Sequence, residues 1–392
     1  MTFGFALAIY YSLDRSGNPT VPRAAIRMEG TRIAEVRGIA VEQNLDSGAV
    51  AVVEEKLKEF PDGPNYQKRV ADMRRLTNIE NLTQDSQPLS AEDLIFLYEI
   101  DSEIEGFGFE KDPRIKEIRS QQKPEKDMPI VFGCEPDQIA HSVNEIRQNY
   151  TKAYVGDLES GIFDRLGNIE HIYTSFPEGR IKKETVEIGG RDFKAIFQEL
   201  EDKLQIKDNL MWNQSKALVE KARNGSVKLS SQTLELLSEL AEKQINVLGY
   251  AIDMIKNADF TISSEPINID TVRLPVRALG LTGTPTMDQI YARADQFGLE
   301  VCPSELGVHK RFKDTNQPMG DWEYIAMKQI ADRGGDPGVF RLVRVEVGIW
   351  LYYRWARPAD RWDPESRFVF AVRKSDSLTP RPSGFFDRFF RH

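Results

Sequence analysis

The 392-residue sequence has little cysteine and little histidine: two cysteines, Cys134 and Cys302, and four histidines. Two thiols far apart in the chain exclude a disulfide framework as the organising principle, and they indicate a reducing cytoplasm. No apolar run is long enough to span a membrane. Residues 3–11 are apolar, but no lysine or arginine precedes them, so the sequence predicts neither a membrane span nor a signal peptide.

Familiar catalytic motifs are also missing. The chain has no GxxxxGK[ST] phosphate loop, no GxGxxG after a predicted strand, no HExxH and no GxSxG. Hydrophobic residues make up 40% and charged residues 29%, which is ordinary for a folded globular protein and argues against wholesale disorder. These absences leave enzymatic activity uncertain and favour a non-catalytic protein without a cofactor or a bound metal.

Positive charge is concentrated at the C-terminal end of an acidic chain. The net charge is −9, yet from residue 338 onward ten arginines and one lysine oppose six acidic residues. That end therefore carries +5 and the preceding residues −14. Such asymmetry is compatible with a polyanion-binding end, but a solvated face is the more common explanation.

The hydrophobic periodicity changes several times along the chain. Residues 5–39 alternate as three short strands, and residues 47–147 show helical spacing, with helix starts at Ser90 and at Asp112. Residues 151–206 mix strands and helices, and residues 207–259 continue as helices. After the SSEP segment at 263–266, the run TVRLPVRAL predicts an edge strand because it contains Pro275. A helix and the strands around residues 322–330, 339–346, 349–355 and 368–374 follow.

These patterns predict an α+β fold. It has a small N-terminal antiparallel hairpin unit, a helical and mixed α/β middle, and a C-terminal helix plus an antiparallel sheet. The predicted domains are an N-terminal β-hairpin unit (1–45), a helical region (46–150), a mixed α/β and helical region (151–262), a C-terminal α+β domain (266–376) and a tail (377–392).

Several segments resemble recurrent parts of large, uncharacterised bacterial proteins. The segments are GNPTVPRAAIRMEGTRIAEVRGIAVEQNLD, LIFLYEIDSEIEGFGFEKDPRIKEIR, EHIYTSFPEGRI, and VCPSELG followed by MKQIADRGGDP. The resemblance implies bacterial origin but no activity, and it transfers no functional residue. Residues 8–45 are also faintly similar to strands of PcfJ-like proteins, which are associated with mobile elements.

The C-terminal strands supply the predicted binding residues, Arg344, Tyr352, Arg354 and Trp355. Tryptophan, tyrosine and arginine dominate protein interfaces, while exposed aromatics with arginines can also bind nucleic acid. In IWLYYRW, Tyr352 and Arg354 share one face, and Tyr353 and Trp355 share the other. Since one face packs against the core, either pair could be buried.

Weak candidates for catalysis lie in the segment EHIYTSFPEGR, where a strand runs into a Pro–Gly loop. His171 could act as a general base, and Glu178 could orient it or transfer protons. The alternative is that His171 is simply part of a strand face. Two Cys–His pairs seven residues apart, Cys134 with His141 and Cys302 with His309, do not match ordinary zinc spacing, so no metal site is predicted.

The favoured hypothesis is a cytoplasmic, soluble, non-catalytic multidomain protein that binds a protein partner through its C-terminal sheet. A nucleic-acid-binding module of a mobile-element or defence system is the alternative. A third hypothesis is a hydrolase-type enzyme centred on His171. No membrane contact is expected, and the sequence leaves the partner and the oligomeric state open.

Overall fold

The computed structural model describes residues 5–13, 15–29, 32–38, 47–60, 62–107, 111–345 and 347–373. They divide into two compact units. The first runs to Cys134 and also takes Asn316–Asp321 and the described part of Val343–Trp350. The second takes Glu135–Thr315, Trp322–Leu342 and the described residues from Leu351 onward. The predicted tail, residues 377–392, lies outside the described residues.

The first unit begins with an antiparallel sheet whose strands pair in the order β1–β2–β3. The strands are β1 (Phe5–Leu13), β2 (Pro19–Glu29) and β3 (Arg32–Gly38). Successive side chains of a strand point to opposite faces, so Ala24, Ile26 and Met28 of β2 are buried together. The three strands predicted within residues 5–39 are therefore confirmed.

Helices complete the first unit: α1 (Ser47–Leu57), α2 (Gly63–Gln84), α3 (Ala91–Leu97), α4 (Pro113–Ser120) and α5 (Pro124–Phe132). Helix α3 starts where predicted, because the Ser90 hydroxyl accepts the Asp93 N–H and the Asp93 carboxylate accepts the Ser90 N–H. Helix α4 starts with Asp112 accepting the Arg114 N–H, as the sequence also predicts.

The second unit contains two sheets and the remaining helices, and the strands β13 and β14 are shared between the units. In chain order its elements are β4 (Ile139–Ala140), β5 (Ala153–Val155), α6 (Phe163–Leu166), β6 (His171–Tyr173), β7 (Lys182–Ile188), α7 (Phe193–Leu204), α8 (Trp212–Arg223), α9 (Ser231–Glu242), β8 (Ile245–Val247), α10 (Gly249–Lys256), β9 (Ile267–Pro275), α11 (Met287–Gln296), β10 (Leu299–Glu300), α12 (Leu306–Lys313), β11 (Trp322–Ile325), β12 (Ile330–Ala331), β13 (Pro337–Val345), β14 (Gly348–Trp355) and β15 (Arg367–Val372).

The large sheet runs in the order β7–β9–β15–β11–β13–β14–β8, with β10 beside β15 and β12 beside β13. Strand β15 lies inside it, and Phe368, Val369 and Phe370 are buried on both of its faces. The small sheet, β4–β5–β6, is parallel. Separate helices and strands of this kind confirm the predicted α+β class.

The C-terminal sheet is mixed rather than purely antiparallel, which corrects one detail of the predicted fold. Strand β11 pairs in parallel with β15. The β13–β14 hairpin occupies the other side of β11, so β15 reaches it through residues 356–366. A parallel neighbour requires such a connection, whereas a tight hairpin turn gives an antiparallel one.

Strand β9 is not an edge strand, so the prediction drawn from Pro275 is wrong. It lies between β7 and β15. Pro275 is the last residue of β9. The pairing of β9 with β7 stops before it, at Arg273, which lies opposite Lys182, the first residue of β7. Pro275 therefore faces β15 on one side only, and its missing N–H leaves the β7 ladder intact.

The β7–β9 ladder pairs residues that precede the segment 263–266 with residues that follow it, although the sequence predicts a domain boundary at this segment. Its pairs run from Lys182 with Arg273 to Ile188 with Ile267. The five predicted domain ranges stay predictions. Among the described residues, no helix is both long and apolar enough to cross a membrane.

A buried ion pair joins β3 to α2 in the first unit and yields a testable prediction. The Asp62 carboxylate accepts the Ile33 N–H at 2.9 Å and an Arg69 N–H at 2.7 Å, and both charged side chains are buried. Removing one partner leaves the other charge buried and unpaired. We therefore expect Asp62→Ala to lower the free energy of unfolding by about 3–5 kcal/mol, measured by urea denaturation.

The exposed pair of Glu55 with Lys58 on α1 and the turn after it provides the control. Because this pair is in water, Glu55→Ala should leave the free energy of unfolding nearly unchanged. Equal effects of Asp62→Ala and Glu55→Ala would contradict the role given to the buried pair.

Candidate functional site

Strand β14 becomes more exposed toward its C-terminal end. On one face Leu351 is buried, Tyr353 is half-buried and Trp355 is exposed. On the other face Tyr352 is half-buried and Arg354 is exposed. Exposure thus depends on the position along the strand more than on the face, and both faces open near residue 355.

Three rings form an exposed cluster at this end of β14, called here the aromatic patch: Tyr250, Tyr353 and Trp355. Tyr250, from α10, stacks on Tyr353 with ring centroids 4.9 Å apart and an angle of 28° between the planes. Trp355 meets Tyr353 edge-on at 6.1 Å and 89°. Tyr250 is 43% exposed and Trp355 is 45% exposed, so large ring surfaces reach solvent in an ordered arrangement.

Two glycines make the patch possible. A Cβ at Gly338, on the neighbouring strand β13, would lie 2.9 Å from the Tyr353 ring and 3.1 Å from the Arg354 carbonyl oxygen. A Cβ at Gly249 would lie 3.2 Å from the backbone of Asp208. These distances are shorter than nearly all real Cβ contacts. A side chain at residue 338 would therefore displace Tyr353, and one at residue 249 would displace the start of α10, from which Tyr250 stacks on Tyr353.

Aspartates pair with the arginines around the patch. The Arg333 guanidinium lies 5.9 Å from the Tyr250 ring centroid, bonds to Asp253 at 2.5 Å and lies 3.9 Å from Asp208. On the other side Arg357 bonds to Asp336 at 2.6 Å. The local positive charge is therefore compensated within the protein.

Carboxylates act on the ring at the centre of the patch. Burial, followed by the charge of Asp332, raises the pKa of Tyr353 to about 12, and Tyr250 and Asp336 act in the same direction. Because nearby anions disfavour a further negative charge, the patch is better suited to a neutral or cationic group than to a phosphate.

The geometry brings one of the four predicted binding residues, Trp355, into the patch. Tyr352 and Arg354 project from the opposite face of β14. Arg344 is half-buried and donates to the Gln317 carbonyl oxygen at 3.2 Å, which holds the segment 316–321 within the first unit. That all four act in binding stays a prediction.

Sequence reasoning missed Tyr250 and did not select Tyr353. Strand alternation could have chosen Tyr353, since it shares a face with Trp355. Tyr250 lies about a hundred residues earlier in the chain, and its local sequence gives no sign that it stacks on β14.

The candidate catalytic pair lies at the small sheet. His171 is half-buried on β6 and pairs with Ala153 of β5. Glu178 is exposed in the turn after β6, where its carbonyl oxygen accepts the Ser175 hydroxyl at 3.4 Å. Catalysis by His171 and Glu178 stays a prediction.

A buried charge network that the sequence analysis did not find joins α12 to three strands. Lys310 is 5% exposed, bonds to Glu184 of β7 and lies 3.3 Å from Glu323 of β11. Arg273 of β9 contacts the other Glu323 oxygen at 3.1 Å. Lys313 approaches Glu184 from solvent at 3.1 Å.

The network keeps Lys310 and Glu184 charged at neutral pH. Burial would lower the pKa of Lys310, but Glu323 and Glu184 outweigh it and raise that pKa. Burial opposes the charge of Glu184 in the same way, yet Lys310 and Lys313 hold its pKa below the ordinary value. A general acid or base needs a pKa near the working pH, so this network is suited to structure rather than to proton transfer.

The two Cys–His pairs contain residues with other contacts. Cys302 is buried, which raises the pKa of its thiol, and its sulfur donates to the Val369 carbonyl oxygen at 3.4 Å. His309 accepts the Gly189 N–H at 3.1 Å. Across the described ranges, no three or more histidine, cysteine or acidic side chains group as metal ligands would.

A second exposed apolar surface lies on β1, in the first unit. Leu7, Ile9, Tyr11 and Leu13 alternate along the strand and are all exposed. Ala8 and Tyr10, on the other face, pack against the core. Within the described part of the chain β1 pairs with β2 alone, so this β1 stripe combines apolar side chains with a sheet edge, a combination that natural proteins usually cover.

Comparisons with protein-family models, with curated proteins and with solved structures found no match for the chain.

The buried network gives a prediction about stability. Replacing Lys310 by methionine leaves Glu323 buried with one cation fewer, so Lys310→Met should lower the free energy of unfolding by about 3–5 kcal/mol. Urea denaturation at neutral pH measures this difference.

The pH dependence follows from the direction of the two pKa shifts. The lowered pKa of Glu184 makes its contribution complete above 4.5, and that contribution is lost as the pH falls through the folded-state value. The raised pKa of Lys310 makes its contribution complete below 10.5, and that contribution is lost as the pH rises further. The difference between wild type and Lys310→Met should therefore be constant between those limits and shrink in acid.

Lys313 is a matched control because it contacts the same glutamate but is 48% exposed. Lys313→Met should cost less than about 1 kcal/mol. If both lysine variants lost the same stability, burial would not be what gives the network its strength.

Proposed function

We propose that this protein is a cytoplasmic, non-catalytic interaction protein that holds a protein partner through the aromatic patch. The observation that carries the proposal is that Tyr250 and Trp355 are each more than two-fifths exposed yet held in ordered ring contacts with Tyr353. Exposed tyrosine and tryptophan with a rigid arrangement are the residues that contribute most at protein interfaces. We also propose that the protein is bacterial, because segments of its sequence resemble parts of large bacterial proteins.

The internal use of the C-terminal arginines favours a protein partner over nucleic acid. Arg357 pairs with Asp336, and Arg373 pairs with Asp295. Arg341 lies over the Trp322 and Tyr324 rings. Binding to a polyanion depends on positive charge that can neutralise phosphates, and these arginines already have partners in the protein.

The β1 stripe supports the same proposal from the first unit. Four alternating exposed side chains, Leu7, Ile9, Tyr11 and Leu13, present an apolar surface beside an open strand edge. Contiguous exposed apolar surface is a recognised mark of interaction sites. A protein that offers one such surface in each unit is suited to assembly with other proteins.

Selection from a phage-displayed random peptide library against the full chain tests the proposal. We expect peptides that bind the wild type and lose at least about tenfold in affinity to the Tyr250→Ala/Trp355→Ala variant, because each hot-spot side chain contributes more than about 1 kcal/mol. Fluorescence anisotropy with labelled peptides measures the affinities.

The variant Tyr150→Ala is the control, since this exposed tyrosine lies outside the patch. It should keep the wild-type affinity. Labelled single- and double-stranded oligonucleotides at low and physiological salt test the alternative. Salt-sensitive oligonucleotide binding that disappears in the patch variant would replace the proposed function by nucleic-acid binding.

A further inference from the structure

We propose that the aromatic patch receives a cationic side chain, an arginine or a lysine, from the partner protein. This inference rests on the proposed function and adds the chemical class of the group that is recognised. It depends on the ring geometry, on a cation that the protein itself already places on one ring, and on the aspartates around the patch.

Trp355 is the most exposed residue of the aromatic patch. The Trp355 indole is held by the edge-on contact with the Tyr353 ring. Trp355 nevertheless remains 45% exposed. The face of an indole attracts a cation more strongly than the ring of tyrosine or phenylalanine, and a ring that is already ordered loses little freedom on binding.

The protein already contains one contact of the proposed kind. The Arg333 guanidinium lies 5.9 Å from the Tyr250 ring centroid, within the range of a cation–π interaction. Asp253 and Asp208 flank that guanidinium at 2.5 and 3.9 Å. Ring and carboxylates together thus hold a guanidinium at one end of the patch, and Trp355 offers the same chemistry at the other end.

The charges that act on Tyr353 favour a cation. Asp332 is held as an acceptor by the Gly334 and Asp336 N–H groups, at 2.7 and 3.1 Å. Asp332 and Asp336 both act on the Tyr353 hydroxyl and help to raise its pKa. The aspartates in these contacts are Asp208, Asp253, Asp332 and Asp336, and the arginines that pair with them are Arg333 and Arg357.

Among the described residues in these contacts, four carboxylates are set against two guanidinium groups, which leaves an excess of negative charge beside exposed rings. Arg354 does not change this balance at the patch, because strand alternation directs it to the other face of β14. A neutral apolar side chain could contact the rings, but it would add no positive charge beside the carboxylates. An arginine or a lysine satisfies the rings and the carboxylates together.

The test starts from peptides selected on the full chain in the library experiment above. Each patch-dependent peptide is synthesised with its arginines replaced by citrulline, which keeps the planar shape but carries no charge, or with its lysines replaced by norleucine. We expect each neutral version to bind at least about fivefold more weakly, as measured by anisotropy, because a cation over an aromatic ring is lost.

A charge change on the protein provides the reciprocal test. Asp336→Asn should weaken the charged peptide several-fold and leave the neutral peptide unchanged, whereas Glu220→Gln, at an exposed position of α8 outside the patch, should alter neither. Circular dichroism confirms that both variants are folded.

The outcomes separate the two proposals. Patch-dependent peptides that bind equally well in charged and neutral form would overturn the cation site and leave the proposed function standing. Failure to select any patch-dependent peptide would overturn both. Selective loss with the neutral peptide and with Asp336→Asn supports the cation site.

Discussion

The second unit depends on a buried charge that must be neutralised inside the protein. Lys310 of α12 lies between Glu184 of β7 and Glu323 of β11, and Arg273 of β9 completes the set. Burying several charges costs free energy unless each lies within ion-pair distance of an opposite charge. Few arrangements of these elements meet that condition. The network therefore constrains how one helix and three strands of the large sheet can be arranged. The same sheet holds β14, on which the aromatic patch is built.

Local signals in the sequence predicted most elements of the fold. The capping pattern at Ser90 and the Asp112–Pro113 start were sufficient, because a helix cap depends on residues within a few positions. Strand pairing depends on residues far apart, so the parallel β11–β15 pair and the inner position of β9 were not predicted. Strand β8, in a stretch predicted as helical, was also missed since three residues carry little periodic signal.

The candidate site was predicted only in part for the same reason. Composition pointed to the aromatic end of β14 and included Trp355. Alternation placed Tyr353 beside it, but whether that face is open depends on where β14 leaves the sheet. Tyr250 comes from a helix that begins directly after β8, and the approach of Gly249 to Asp208 positions it. Neither fact can be read from residues near β14. Packing of separate segments, rather than local sequence, creates the patch.

The pairing of β7 with β9 has a consequence for synthesis of the chain. Residue 182 meets residue 273, and the neighbour of β9 on its other side, β15, ends only at residue 372. Until the ribosome has added β9, β7 lacks the strand with which it pairs in the folded protein. Its backbone groups can meanwhile pair with other chains. The large sheet is therefore completed late, after β15 has left the exit tunnel. A chain that ends before residue 367 lacks β15, so the backbone groups of β9 that pair with β15 stay exposed. Unpaired strand edges of this kind favour aggregation, which chaperones prevent.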